Sequence, residues 1–289
     1  MTLTPAWRRT GLIVIATLGT LVLLCGVVLG ISVLWFWQQL PPLDKVTDYK
    51  PHQPLQVFTQ DGVELAQFGN ERRRFLAIGQ MPKLLKDAVL AVEDAQFHEH
   101  HGISFKGLAR ALVARVSGGV PQGASTITQQ VARTFFLSTR RTPERKIKEA
   151  LLALQIEQRL SKDQIFELYL NQIYLGQRSY GFAAASVAYF GKPLEALSVA
   201  EAAMLAGLPQ NPIFANPLAN PERARRRQLI VLARMRSTGS INEAEQAKAK
   251  EEKLVYRRVQ QTEVHAEHVA EMARQEERRG RIIFEGQAY

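Results

Sequence analysis

The chain has 289 residues, 46% of them hydrophobic and 22% charged, and its 37 Lys and Arg against 27 Asp and Glu give a formal charge of +10. That length holds one good-sized domain, or two small ones, beside an anchor. The single cysteine, Cys25, excludes an internal disulfide. The charge predicts an anionic partner, whether nucleic acid, an acidic membrane surface or a phosphorylated substrate, without choosing among them.

From Gly11 to Trp37 no residue is charged. At roughly 1.5 Å per residue such a helix exceeds the ~30 Å hydrocarbon core of a bilayer, so a transmembrane helix is expected over 11–37, with Cys25 in lipid. Arg8 and Arg9 precede it and Trp35 and Trp37 lie near its far end, an asymmetry that keeps residues 1–10 cytoplasmic and sends the rest outward. A cleaved signal peptide would have an apolar region of only about 7 to 15 residues. Pro41 and Pro42 stop the helix and open an extended spacer over 38–54. Residues 55 to 78 then alternate: Leu55, Val57 and Thr59 precede a Gln60-Asp61-Gly62 turn, and Val63, Leu65, Phe75 and Ile78 resume, which predicts a small β-hairpin element. The run Arg72, Arg73 and Arg74 is either a solvated basic stretch or a contact for lipid headgroups.

From Pro82 to about Lys250 the spacing is helical nearly throughout. Leu84, Leu85, Ala88, Val89, Ala91 and Val92 place Glu93 near the C-terminal end of a largely apolar helix. Further helices are expected over 104–117, 125–137, 143–160, 161–175, 180–189, 198–208 and 221–236, with Ser104, Ser125, Ser161 and Ser198 as N-caps and Pro143 in a first turn. The stretch 237–289 reads as a charged helical tail or the stub of a linker.

Four stretches carry candidate chemistry. The first is Glu93-Asp94-Ala95-Gln96-Phe97-His98-Glu99-His100-His101-Gly102. A partly buried carboxylate at the negative end of a helix dipole has a raised pKa, which suits a general base. An isolated Glu-Asp pair is more simply a solvated face or a cap. The second is Gly123 to Arg133, where a glycine-containing loop opens a helix rich in Ser, Thr and Gln, a geometry that suits an anionic oxygen and equally an ordinary cap. A basic belt follows, Arg133, Arg140, Arg141, Arg145, Lys146 and Lys148, with Glu149 at its end. Arg145 and Glu149 could be a plain helix-face ion pair. The apolar run Phe135-Phe136-Leu137 amid these cations instead suits an interface with acidic lipid and a lipid-borne anionic substrate. The fourth, Lys162 to Gly176, reads as scaffold, with Asn171 satisfying buried backbone.

Together these stretches resemble the family 51 peptidoglycan glycosyltransferases, the membrane-anchored domain of class A penicillin-binding proteins, over about residues 45 to 236. The shared positions are Glu93-Asp94, Phe97, His100 and Gly102; Gly123, Ser125-Thr126-Ile127 and Gln129-Gln130; Arg145-Lys146 and Glu149; Tyr169-Leu170-Asn171 and Gly176; and Tyr189-Phe190-Gly191-Lys192, Glu201, Leu208-Pro209-Gln210 and Asn216-Pro217. The anchor, the hairpin and Tyr180-Gly181-Phe182 look closest to the penicillin-binding protein 1A group.

The resemblance implies a mainly α, lysozyme-like glycosyltransferase domain over 55–236 that polymerises lipid II into β-1,4 glycan on the outer, periplasmic face of the bacterial inner membrane. Glu93 would be the base, with Glu149 as a second catalytic glutamate. Ser125, Arg133 and Arg141 would contact the donor pyrophosphate, Lys148 would lie with Glu149 on the acceptor side, and Gln129 and Gln130 would line the cleft. Asp94, Arg145 and Lys146 complete the implied substrate-binding set. Mg or Mn assists some members, but His98, His100 and His101 do not form a convincing ligand set. The implied partners are lipid II, the nascent strand, the cytoplasmic membrane and other cell-wall synthesis proteins, with no nucleic acid. A transpeptidase's Ser-x-x-Lys and Lys-Thr-Gly motifs do not occur, so no cross-linking activity is expected. A non-catalytic membrane scaffold is the alternative, against which the intact glutamates and basic belt argue.

Overall fold

The computed structural model describes residues 5–47, 55–58, 64–68, 71–118, 123, 125–137 and 142–257. Helix α1, Pro5–Gln38, contains a 23-residue span, Ala16–Gln38, long and apolar enough to cross a membrane and not buried against the rest of the chain. It stops just before Pro41-Pro42, as expected. The spacer is not wholly extended, because α2, Asp44–Thr47, forms a single turn within it. Leu43 and Val46 are 5% and 3% exposed, so burying these two side chains on the domain favours the turn over an extended strand.

Strands β1, Leu55–Phe58, and β2, Glu64–Phe68, pair antiparallel with Leu55 opposite Phe68, forming the expected hairpin. Its Gln60-Asp61-Gly62 turn lies outside the described residues. The expected return to strand at Phe75 and Ile78 does not occur. Instead β3, Arg72–Arg73, runs parallel to the distant β4, Ser179–Tyr180, and residues 78–80 form a 3-10 turn. Side chains of a later helix satisfy the intervening backbone. Asn171 accepts from the Leu76 N–H at 3.0 Å and donates to its carbonyl at 2.9 Å, while Glu167 accepts from the Ile78 N–H at 2.7 Å. Asn171 therefore has the backbone role its sequence context suggested.

The remaining elements are α3 (Lys83–Glu93), α4 (Phe105–Val116), α5 (Ile127–Phe136), α6 (Pro143–Arg159), α7 (Lys162–Gln172), α8 (Phe182–Phe190), α9 (Val199–Ala206), α10 (Pro221–Ser237) and α11 (Glu243–Glu251). Ser104, Ser161 and Ser198 cap α4, α7 and α9, each accepting a backbone N–H of the first turn, and Pro143 opens α6. Helix α7 ends earlier than expected, because Tyr174 bridges to Tyr180 and the Gly181 N–H bonds the Ile173 carbonyl at 2.9 Å. Gly181, at φ +82°, passes so close to Asn171 that a Cβ there would sit 2.6 Å from its carbonyl oxygen.

Helices α3, α9 and α10 pack together on one side of the core, and α5 lies against α6 and α7 on the other. Leu85, Ala88 and Val89 of α3, Ile127 and Val131 of α5, Leu152 and Ile156 of α6, and Val231 and Leu232 of α10 all contribute to one apolar cluster. Beyond α10, α11 packs on α9 and α10, and residues 252–257 continue over α8, where Tyr256 stacks on Phe190 and the Arg257 N–H bonds the Tyr189 carbonyl at 2.7 Å.

Candidate active site

Glu93 is the last residue of α3, and Asp94 caps the helix end through its own N–H to the Leu90 carbonyl. The acid-rich segment is thus a set of turns leaving the helix. Asp94 is 9% exposed and fully engaged. Its carboxylate accepts the N–H of Ile127, the first residue of α5, at 3.1 Å, and meets His100 Nε2 at 3.0 and 3.1 Å. Thr126 ties the same two segments together, donating to the Gly102 carbonyl at 2.6 Å while accepting the Gln129 N–H. The α5 cap is therefore Thr126, not Ser125. Ser125 instead accepts from Lys146 Nζ at 2.8 Å.

The glycine that ends the turn is required by geometry. Gly102 has φ +82°, and a Cβ on it would lie 2.8 Å from the Ala153 carbonyl oxygen of α6. Gly102→Ala is expected to cost about 1–3 kcal/mol, measured as a lower melting temperature of the full chain in detergent. A parental melting temperature would reject this close packing of the turn on α6.

Two groups of bonded side chains link α3 to α5 and α5 to α6. In the first, Glu93 Oε2 accepts from Gln130 Nε2 at 2.9 Å, whereas Oε1 is buried without a hydrogen bond, 3.8 Å from Arg227 Nη2. Burial pushes the Glu93 carboxyl above its ordinary value, and the Gln130 bond, Arg227 and Arg133 pull it back down. In the second, Glu149 is 1% exposed and bonded on both oxygens, to Arg145 Nη1 at 3.1 Å and Lys146 Nζ at 2.6 Å. Lys146 also reaches Gln129 Oε1 at 3.3 Å, so one ammonium joins Ser125, Gln129 and Glu149. Of Glu93, Asp94 and Glu149, only Glu93 keeps an oxygen without a hydrogen bond. That makes it the one of the three suited to take a proton.

Lys148 pairs with Glu144 at 2.7 Å and lies over the Phe36 ring of α1 at 5.8 Å, away from Glu149, because adjacent residues on a helix point about 100° apart. Arg141 lies outside the described residues. Among the described residues no three His, Cys, Asp or Glu side chains converge as a metal ligand set. Arg227 was not singled out by sequence. It lines a cleft of about 360 Å³ with Gln210, Asn211, Phe214, Ala215 and Arg223. Burial lowers its pKa and the Glu93 charge raises it. Its signal was periodicity: Ala224 and Val231 are buried on α10, which puts Arg227 on the flank of the core-facing side.

A family model described as Transglycosylase matches residues 61–236. The chain belongs to the transglycosylase family. Penicillin-binding protein 1A of Neisseria flavescens is 51% identical over 250 residues, and that of Vibrio cholerae is 45% identical over 259 residues. Those matches cover 86% and 87% of this chain, which spans about 31% of the length of either relative. A crystal structure of penicillin-binding protein 1A from Haemophilus influenzae is 29% identical, with a TM-score of 0.46, over 81% of this chain and 25% of that one. In this transglycosylase domain Glu93 and Gln130 belong to the first bonded group, Ser125, Gln129, Arg145, Lys146 and Glu149 to the second, Asp94 bonds Ile127 and His100, and the Arg133 charge acts on Glu93.

Proposed function

We propose that this domain polymerises lipid II into β-1,4 glycan strands by an inverting displacement of undecaprenyl pyrophosphate. The observation that carries the reading is Glu93 Oε1, a buried carboxylate oxygen free of hydrogen bonds, beside an α5 end rich in donors. Glu93 takes the proton of the acceptor N-acetylglucosamine 4-hydroxyl as that oxygen attacks C1 of the donor N-acetylmuramic acid. Attack from the face opposite the pyrophosphate inverts the anomeric carbon and needs no protein nucleophile. Pyrophosphate needs cations and donors more than a protonating acid, and Arg133, Arg141, Arg145, Lys146 and Ser125 supply them. Glu149 acts by holding Arg145 and Lys146 in place, with both its oxygens committed to them.

Helix α1 anchors the domain in the inner membrane, with its N-terminus cytoplasmic and the domain on the periplasmic face, where other cell-wall synthesis proteins would meet it. Mg or Mn would have to arrive with the substrate pyrophosphate, since Asp94 and Glu149 are occupied by protein donors.

The test is incubation of the purified full chain with labelled lipid II in detergent. Long strands that a β-1,4-specific muramidase cleaves are expected. Absence of product from a folded protein that still binds lipid II would overturn the reading in favour of a scaffold.

A further inference from the structure

We infer that Lys162 and Glu157 are a positioning pair for the reaction, fixing the first turn of α5, and with it the Gln130 side chain, against Glu93. The inference rests on the reading of Glu93 as the base. Lys162 is the first residue of α7, in the stretch whose sequence reads as scaffold, and Glu157 lies in the last turn of α6. Lys162 Nζ donates to Glu157 Oε1 at 2.6 Å and to the His100 carbonyl at 2.6 Å, and it lies 4.4 Å from the centre of the buried Phe97 ring. Glu157 Oε1 also accepts, at 2.6 Å, from the hydroxyl of Thr128, a fully buried residue in the first turn of α5. These bonds close a circuit. Ile127, next to Thr128, binds the Asp94 carboxylate through its N–H, Asp94 meets His100 Nε2, and the His100 carbonyl returns to Lys162. Glu93 adjoins the circuit at Asp94, Gln130 shares the first turn of α5 with Thr128, and the Glu93 and Gln130 side chains bond each other at 2.9 Å.

Helix stability does not account for the pair. A cation in the first turn of α7 and an anion in the last turn of α6 each oppose the dipole of their own helix. The Glu157 side chain is 5% exposed and that of Lys162 21%, so taking the two charges out of water offsets much of their attraction, and an apolar pair of similar volume is often as stable. What an apolar pair lacks is direction. Short charge-assisted bonds set the placement of α5, α6, α7 and the turn after Glu93 relative to one another. A general base works only within hydrogen-bond reach of its proton, and a misplacement of about 1 Å by a change far from the chemistry can cost on the order of 10²-fold. Lys162 and Glu157 act on Glu93 through α5 and that turn, so they position the base and take no part in the proton transfer itself.

The test compares Lys162→Met with the double variant Glu157→Met, Lys162→Met, each in the full chain in detergent with labelled lipid II. Lys162→Met leaves the Glu157 carboxylate buried without its cation and should lower both the melting temperature and kcat. The double variant leaves no unpaired charge, so its melting temperature should return toward the parental one. Its kcat should nevertheless stay low, on the order of 10- to 10²-fold, with KM for lipid II little changed. Lys162→Arg keeps a cation and should recover part of kcat. The Gln130 side-chain amide, isotope-labelled and assigned by its loss in Gln130→Ala, reports the bond to Glu93 without turnover, and its NMR resonances should shift in the double variant. Recovery of kcat together with the melting temperature would overturn the inference, and so would Gln130 resonances at their parental positions. A parent that makes no glycan, with resonances that still shift in the double variant, would defeat the proposed function and leave the hold of the pair on Gln130 standing.

Discussion

Glycan polymerisation by Glu93→Gln is expected to fall on the order of 10²- to 10⁴-fold, with lipid II binding retained. Gln keeps the shape of the side chain and can still accept from Gln130, but it has no basic oxygen to take the acceptor proton. With Glu93 as the proposed base, activity of the parent would require the ionised carboxylate, so the rate should fall as pH drops through the raised Glu93 pKa. The same residue leaves a signature on stability. Its folded pKa lies above the unfolded value of about 4.5, so its contribution is fully present below the unfolded value and is lost as pH rises through the folded one. Glu93→Gln removes that loss. The melting temperature of the variant relative to the parent should therefore rise from about pH 4 to about pH 7. A variant polymerising at the parental rate would end the assignment of the base, and a pH-independent difference in melting would contradict the burial that raises its pKa.

The second large effect is expected at Lys146. Its ammonium bonds Ser125, Gln129 and Glu149 at once, and the side chain is half exposed. On the proposed function Lys146→Ala removes a cation that would meet the leaving pyrophosphate, and kcat/KM should fall on the order of 10²- to 10³-fold. It also leaves Glu149 buried with Arg145 as its remaining cation. Lys146→Arg restores the charge with a different shape, so it should recover part of the loss. Measurement with labelled lipid II separates the outcomes: Lys146→Ala at parental kcat/KM would exclude a role for this ammonium in the reaction.

Much of this site is legible along the chain because its signals are local. Apolar spacing ended α3 near Glu93, and Ser161 and Ser198 capped their helices because a cap is a contact between near neighbours. The choice between Ser125 and Thr126 was not legible. Either hydroxyl could cap α5, and the decision came from outside the helix, since Thr126 also bonds Gly102 and Ser125 is held by Lys146. The parallel pairing of β3 with β4 was equally hidden, because two-residue strands have no alternation to read and their partner is remote in sequence.

Sequence alone determined the apolar N-terminal helix, the helical order of the domain and the identity of the carboxylate at the end of α3, all consequences of residue type at short spacing. Only the tertiary structure decided which acid stays free. Asp94 and Glu149 lose their lone pairs to Ile127, His100, Arg145 and Lys146, and Arg227 arrives beside Glu93 from a helix far along the chain. Basicity depends on burial and on which donors surround an oxygen, and those are properties of packing, not of spacing.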